Sequence, residues 1–126
     1  MTIRDIPRDQ WRDELDIFSR QHEDWLVSIT TRTPDGRVAV QARDLPLQGV
    51  NPVSPASNDI AIVVRDAQSH LTHAVHDPSA IKVDLTDDRA ERALIIDASD
   101  GTTTTVEFRS PMRTDAVDGM PAAGSE

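Results

Sequence analysis

Residues 25–43 read WLVSITTRTPDGRVAVQAR, and this stretch decides the fold. Trp25, Val27 and Ile29 alternate with Leu26, Ser28 and Thr30, the period of two that belongs to a half-buried strand. Thr33, Pro34, Asp35 and Gly36 then place proline at the second position of a turn and glycine where φ turns positive. Val38, Val40 and Ala42 resume the alternation on one face, with Arg37, Gln41 and Arg43 among the other positions. The result is a β-hairpin, around which the flanking sequence has to be arranged.

Upstream the apolar period lengthens. Trp11, Leu15, Phe18 and His22 fall at i, i+4, i+7 and i+11, one face of a helix, while Arg8, Arg12, Asp16 and Arg20 lie off it. Asp5 as a cap, Pro7 in the first turn and Asp9 and Asp13 near the positive end of the dipole predict a helix over 6–22. Two of the four aromatic residues stand on this face, which implies a helix docked on a sheet.

Downstream, residues 46–58 (PLQGVNPVSPASN) collect proline, glycine, serine and asparagine and predict a long loop. Short strands follow at 60–65, 70–76, 81–85, 94–98 and 102–109, separated by turn residues. Thr102–Thr105 is β-branched but weakly burying, which predicts an edge strand able to accept a strand from another copy or a peptide. The fold expected is α+β, with an N-terminal helix packed on a six- or seven-stranded antiparallel sheet forming a small barrel or sandwich. Trp11, Phe18, Trp25 and Phe108 should meet in its core. Residues 1–112 make a single domain in this reading, and 113–126 a disordered acidic tail.

A chain of 126 residues and 13.9 kDa has room for one modest core. Its net charge of −9 repels phosphate backbones and anionic headgroups, and so few aromatics offer little to stack bases on, so neither nucleic acid nor membrane is an expected partner. No apolar run of about 18 residues and no basic-then-apolar leader is present, and the expected location is cytoplasmic. The absence of cysteine excludes disulfides, thiolate nucleophiles and thiolate zinc sites.

His70, His73 and His76 lie within seven residues, followed at once by Asp77. Neutral imidazoles are the commonest ligands of zinc, copper and nickel. On one strand, however, His70 and His76 share a face roughly 20 Å apart while His73 points the other way, so no single ion joins all three. A site would need one of them with a carboxylate from a neighbouring strand, such as Asp44, Asp84 or Asp97. His73 is in phase with Leu71 and Val75, which places it toward the core. Asp87, Asp88, Arg89, Glu91 and Arg92 form a charged turn whose ordinary role is solvation. No phosphate-cradling loop, nucleophile elbow, HExxH helix or calcium loop occurs. The sequence therefore assigns no catalytic residue and no cofactor. It points to a non-enzymatic module that binds a protein partner or itself, as a homodimer, through an edge strand. The alternative is a metal- or small-ligand-binding barrel using His70, His73 or His76 with a nearby Asp, under a lid formed by 46–58.

Five segments carry a resemblance: IPRDQW at 6–11, FSRQHEDWLV at 18–27, ARDLPLQGV at 42–50, HLTHAVHDP at 70–78 and DGTTTTVEFRSPM at 100–112. Together they resemble a bacterial family of short uncharacterised proteins, a domain of unknown function. The resemblance implies a single-domain bacterial protein and carries no activity, ligand or site residue with it.

Overall fold

The turn at Thr33–Gly36 closes as its residues require: Gly36 has φ +89°, and its N–H donates to the Thr33 carbonyl at 2.9 Å. Around it the computed structural model describes residues 2–54 and 58–110. In chain order these form β1 (Thr2–Ile6), a 3-10 turn (Arg8–Gln10), α1 (Trp11–Gln21), β2 (Leu26–Arg32), β3 (Val38–Pro52) and β4 (Ile60–Asp66). β5 (Ser69–Val75), β6 (Pro78–Leu85), β7 (Glu91–Ala98) and β8 (Thr103–Phe108) complete the set. All neighbouring strands are antiparallel, in one sheet of order β1-β6-β7-β8-β2-β3-β4-β5.

The α+β class therefore stands, with two corrections: the sheet has eight strands, not six or seven, and it stays open instead of closing into a barrel. The reason lies in β3. Its first half pairs with β2 up to Pro46, and its second half pairs with β4 from Leu47, with register shifts on both sides. Such bulges bend a strand. The bend folds β4 and β5 over the inner face of the other strands, and α1 fills the space beside β3. Ser19 of α1 takes the place of a neighbouring strand there. Its hydroxyl accepts from the Val50 N–H at 2.8 Å and donates to the Val50 carbonyl at 3.1 Å, so the flank of β3 that β2 has left is satisfied.

The core is the inner face of this folded sheet: Val27, Ile29, Ile60, Ile62, Ile81, Leu94, Ile96 and Val106, with Leu15 and Phe18 from the helix. Phe18 and Trp25 each pack on Phe108, with ring centroids 5.6 and 5.2 Å apart. Trp11 belongs to the same core but stands at the other end of the helix, its indole N–H donating to the Ile6 carbonyl at 2.9 Å.

Three further expectations are corrected. The helix begins at Trp11, because Ile6 ends a strand that pairs with β6 and Pro7 (ψ 145°) separates it from the 3-10 turn; Asp5 lies opposite Lys82 and caps nothing. The predicted loop at 46–58 is strand as far as Pro52. Its prolines are tolerated because Pro46 sits where β3 leaves β2 and Pro52 ends the pairing with β4. Thr102–Thr105 is not an edge: β8 lies between β7 and β2, with Thr104 buried on the inner face and Thr103 and Thr105 on the outer. The expected tail at 113–126 and the middle of the expected lid, 55–57, fall outside the described residues.

Candidate functional site

The histidines fall on and just beyond β5, the terminal strand of the sheet. His73 lies opposite Ile62, Leu71 opposite Val64 and Val75 opposite Ile60, so these three share the inner face of the sheet, as the alternation predicts. His70 lies opposite Arg65 and faces the other way. β5 then ends at Val75, and Asp77 takes a left-handed conformation (φ +51°) that turns the chain into β6.

This turn is organised by Asp59, from the approach to β4. The His76 Nδ1–H donates to its Oδ2 at 2.9 Å, and the Asp77 N–H donates to its Oδ1 at 3.0 Å. The Ser99 hydroxyl donates to the Asp77 carboxylate, and the Ser99 N–H donates to the Asp77 carbonyl at 3.0 Å. A cleft of about 200 Å³ opens beside the turn, lined by Thr31, Gln41, His73, His76, Asp100 and Thr104 among others. Burial, with the neighbouring His76 adding to it, holds His73 below the ordinary histidine value. Asp100 is held below the usual carboxylate range by the Thr102 N–H, which donates to it at 2.8 Å, and by the Thr102 hydroxyl.

His73 and His76 thus share a cleft while His70 does not. The other proposed ligands are elsewhere. Asp84 is buried in an ion pair with Arg92 at 2.6 Å, Asp97 pairs with Lys82 at 3.1 Å, and the Asp44 N–H donates to the Ser28 hydroxyl at 3.1 Å. Among the described residues of one chain, no three His, Asp or Glu side chains come together as a ligand set. Asp59, Gln41 and Asp100 were missed in the sequence because each reaches the histidines from a distant segment.

A second histidine has the opposite environment. His22, on the predicted helix face, is fully buried, stacked on Phe108 at 4.5 Å and edge-on to Trp25 at 4.6 Å. Its Nδ1 lies 2.8 Å from the Phe18 carbonyl, which only accepts, so Nδ1 carries the proton. Its Nε2 lies 3.1 Å from Glu91 Oε1 and has no hydrogen-bond partner among the described residues. Glu91 continues to Arg4 of β1 at 3.6 Å, and Arg4 to Glu14 of α1 at 3.3 Å. This chain of charges ties the other terminal strand to the helix.

The two ends of the sheet therefore differ. β1 carries Arg4 and Asp5 and is held by ion pairs, whereas β5 has no Asp, Glu, Lys or Arg and pairs with β4 over seven rungs without a bulge. Proteins commonly protect exposed edges with charges, prolines or bulges. β5 has none of these, and Leu71 on it is 39% exposed.

These features define a small α+β protein built on an open antiparallel sheet, with one protected edge and one bare, histidine-bearing edge. The chain belongs to a family of unknown function (DUF5335), which it matches over residues 2–117. No curated protein and no solved structure matches it. No helix among the described residues is long and apolar enough to cross a membrane.

Proposed function

We propose that the protein is a non-enzymatic association module whose docking element is the outer edge of β5, and that its occupant is the β5 strand of a second copy. The observation that carries this reading is the bare edge itself: seven regularly paired residues without fixed charge, at the end of an open sheet. Unpaired N–H and C=O groups on such an edge recruit another strand. A two-fold antiparallel pairing uses the same strand on both sides and forms a closed dimer. Charge favours this place over others. Two chains of −9 repel each other, and a strand with no fixed charge is where they meet at least cost. Added salt screens the repulsion between the rest of the two chains and should tighten the dimer.

The first half of β3 offers a competing flank, with Val38 and Val40 exposed. Its pairing with β2 is irregular, and Arg37, Arg43 and Asp44 surround it, which are the devices that blunt an edge. The reading is tested by sedimentation of the untagged chain over a concentration series. The wild type should reach twice the monomer mass and Thr72→Lys should remain monomeric, because Thr72 is exposed on β5 and lysine guards edges. A dimer that survives Thr72→Lys and is lost in Val40→Lys would move the interface to β3 and overturn the assignment.

A further inference from the structure

His70, His73 and His76 recur at i, i+3 and i+6, so their spacing is symmetric about His73. An antiparallel pairing of two β5 strands about a two-fold axis through His73 sets it opposite the partner's His73. His76 stands one residue beyond β5 and lines the same cleft as His73, so the His73 rung is the one that opposes two imidazoles. Directly opposed residues of an antiparallel pair have Cβ atoms about 4.5–5.5 Å apart. Two imidazoles across that span converge on one ion at metal–nitrogen distances of about 2.0–2.1 Å. Within one chain this convergence does not occur: His70 and His73 are on opposite faces of β5, and no three ligands are gathered among the described residues.

A second observation points to a ligand independently. The His76 ring is 80% exposed at its side chain, yet its Nδ1–H is fixed on the Asp59 carboxylate at 2.9 Å. Asp59 is itself anchored by the Asp77 N–H. A carboxylate on Nδ1 fixes the tautomer and leaves the Nε2 lone pair directed outward, the arrangement that supports metal-ligating histidines. The imidazole nitrogens and carboxylate oxygen at this edge suit divalent zinc, nickel or copper.

We propose that β5 strands of two copies close over a divalent transition-metal ion held between the His73 side chains of both copies, with His76 in the same cleft beside it. The proposal rests on the self-association reading above and adds the ligand that regulates it. Metal ligands are neutral imidazoles. The charged groups facing these histidines are Arg65 opposite His70, itself paired with Asp24 at 3.1 Å, Asp59 at His76, and Asp100 across the cleft from His73.

The test uses the full, untagged chain, stripped with chelator and followed by sedimentation velocity at several concentrations, in EDTA and then with Zn2+ or Mg2+. Zn2+ should tighten self-association at least tenfold and Mg2+ should not. Both His73→Ala and His76→Ala should shrink the Zn2+-induced tightening, read for each variant as the ratio of its dimer constants in EDTA and in Zn2+. A dimer that forms in EDTA and is unchanged by Zn2+ overturns the metal site and leaves the self-association reading intact. Zn2+ bound by a chain that stays monomeric overturns the placement between copies. Zn2+ tightening that persists in Thr72→Lys moves the site away from β5 and overturns the proposal. A wild type that is monomeric with and without Zn2+ contradicts both readings.

Discussion

The two terminal strands of the sheet are alike in their regular antiparallel pairing and opposite in chemistry. β1 places Arg4 between Glu14 of the helix and Glu91 of β7, and Glu91 in turn faces the buried His22. β5 has two histidines with a third just past its end, no fixed charge and no strand beside its outer edge among the described residues. An edge of the first kind is tied back to its own molecule, and one of the second is left for another. That difference is the ground on which β5 is proposed as the interface.

The comparison can be broken hardest at the protected end. Replacing His22 by Ala removes a ring from among Phe18, Trp25 and Phe108 and takes away one of the two donors to the Phe18 carbonyl, which keeps the backbone N–H of residue 22 at 3.1 Å. A loss of about 2–4 kcal/mol is expected in urea unfolding, since a buried ring leaves a cavity and takes a hydrogen bond with it. A smaller effect is expected at Ser19→Ala. That change strips the Val50 N–H and carbonyl of their shared partner in a buried position, for a loss of about 1–3 kcal/mol by the same measurement.

The smallest stability effect belongs to the bare end and depends on pH. His73 has its folded value depressed below the ordinary 6.5 by burial and by His76. The folded state then binds fewer protons than the unfolded state, so its stability is full above the ordinary value and falls as pH drops below it toward the folded one. Urea midpoints should fall more steeply for the wild type than for His73→Gln from about pH 7 to about pH 5. Equal slopes would mean that the ring is as solvated in the folded chain as in the unfolded one.

Local chemistry made much of this fold legible. The hairpin turn is written in Pro34, Asp35 and Gly36, and the buried stripe of α1 in the spacing of Trp11, Leu15, Phe18 and His22. What escaped is what depends on distant partners. β1 is five residues with two charges, and it becomes a strand only because β6 lies beside it. The threonine run of β8 has an edge's composition but an interior position, because β7 and β2 lie on either side of it. Pro46 and Pro52 argued for a loop, yet each sits where a strand needs no N–H donor. At the candidate site the histidines and the inward direction of His73 were readable, whereas the Asp59–His76 bond joins residues just outside two strands and left no sequence signal.

The central claim is that β5 is an interface between copies, and the most direct measurement is the solution mass of the wild type beside Thr72→Lys. That substitution gives β5 the charged character of β1 while leaving unfolding stability within about 0.5 kcal/mol, as expected for an exposed site. A concentration-dependent dimer for the wild type and a folded monomer for Thr72→Lys is the predicted result. A wild type that stays monomeric at every concentration, or a variant that dimerises equally well, would contradict it.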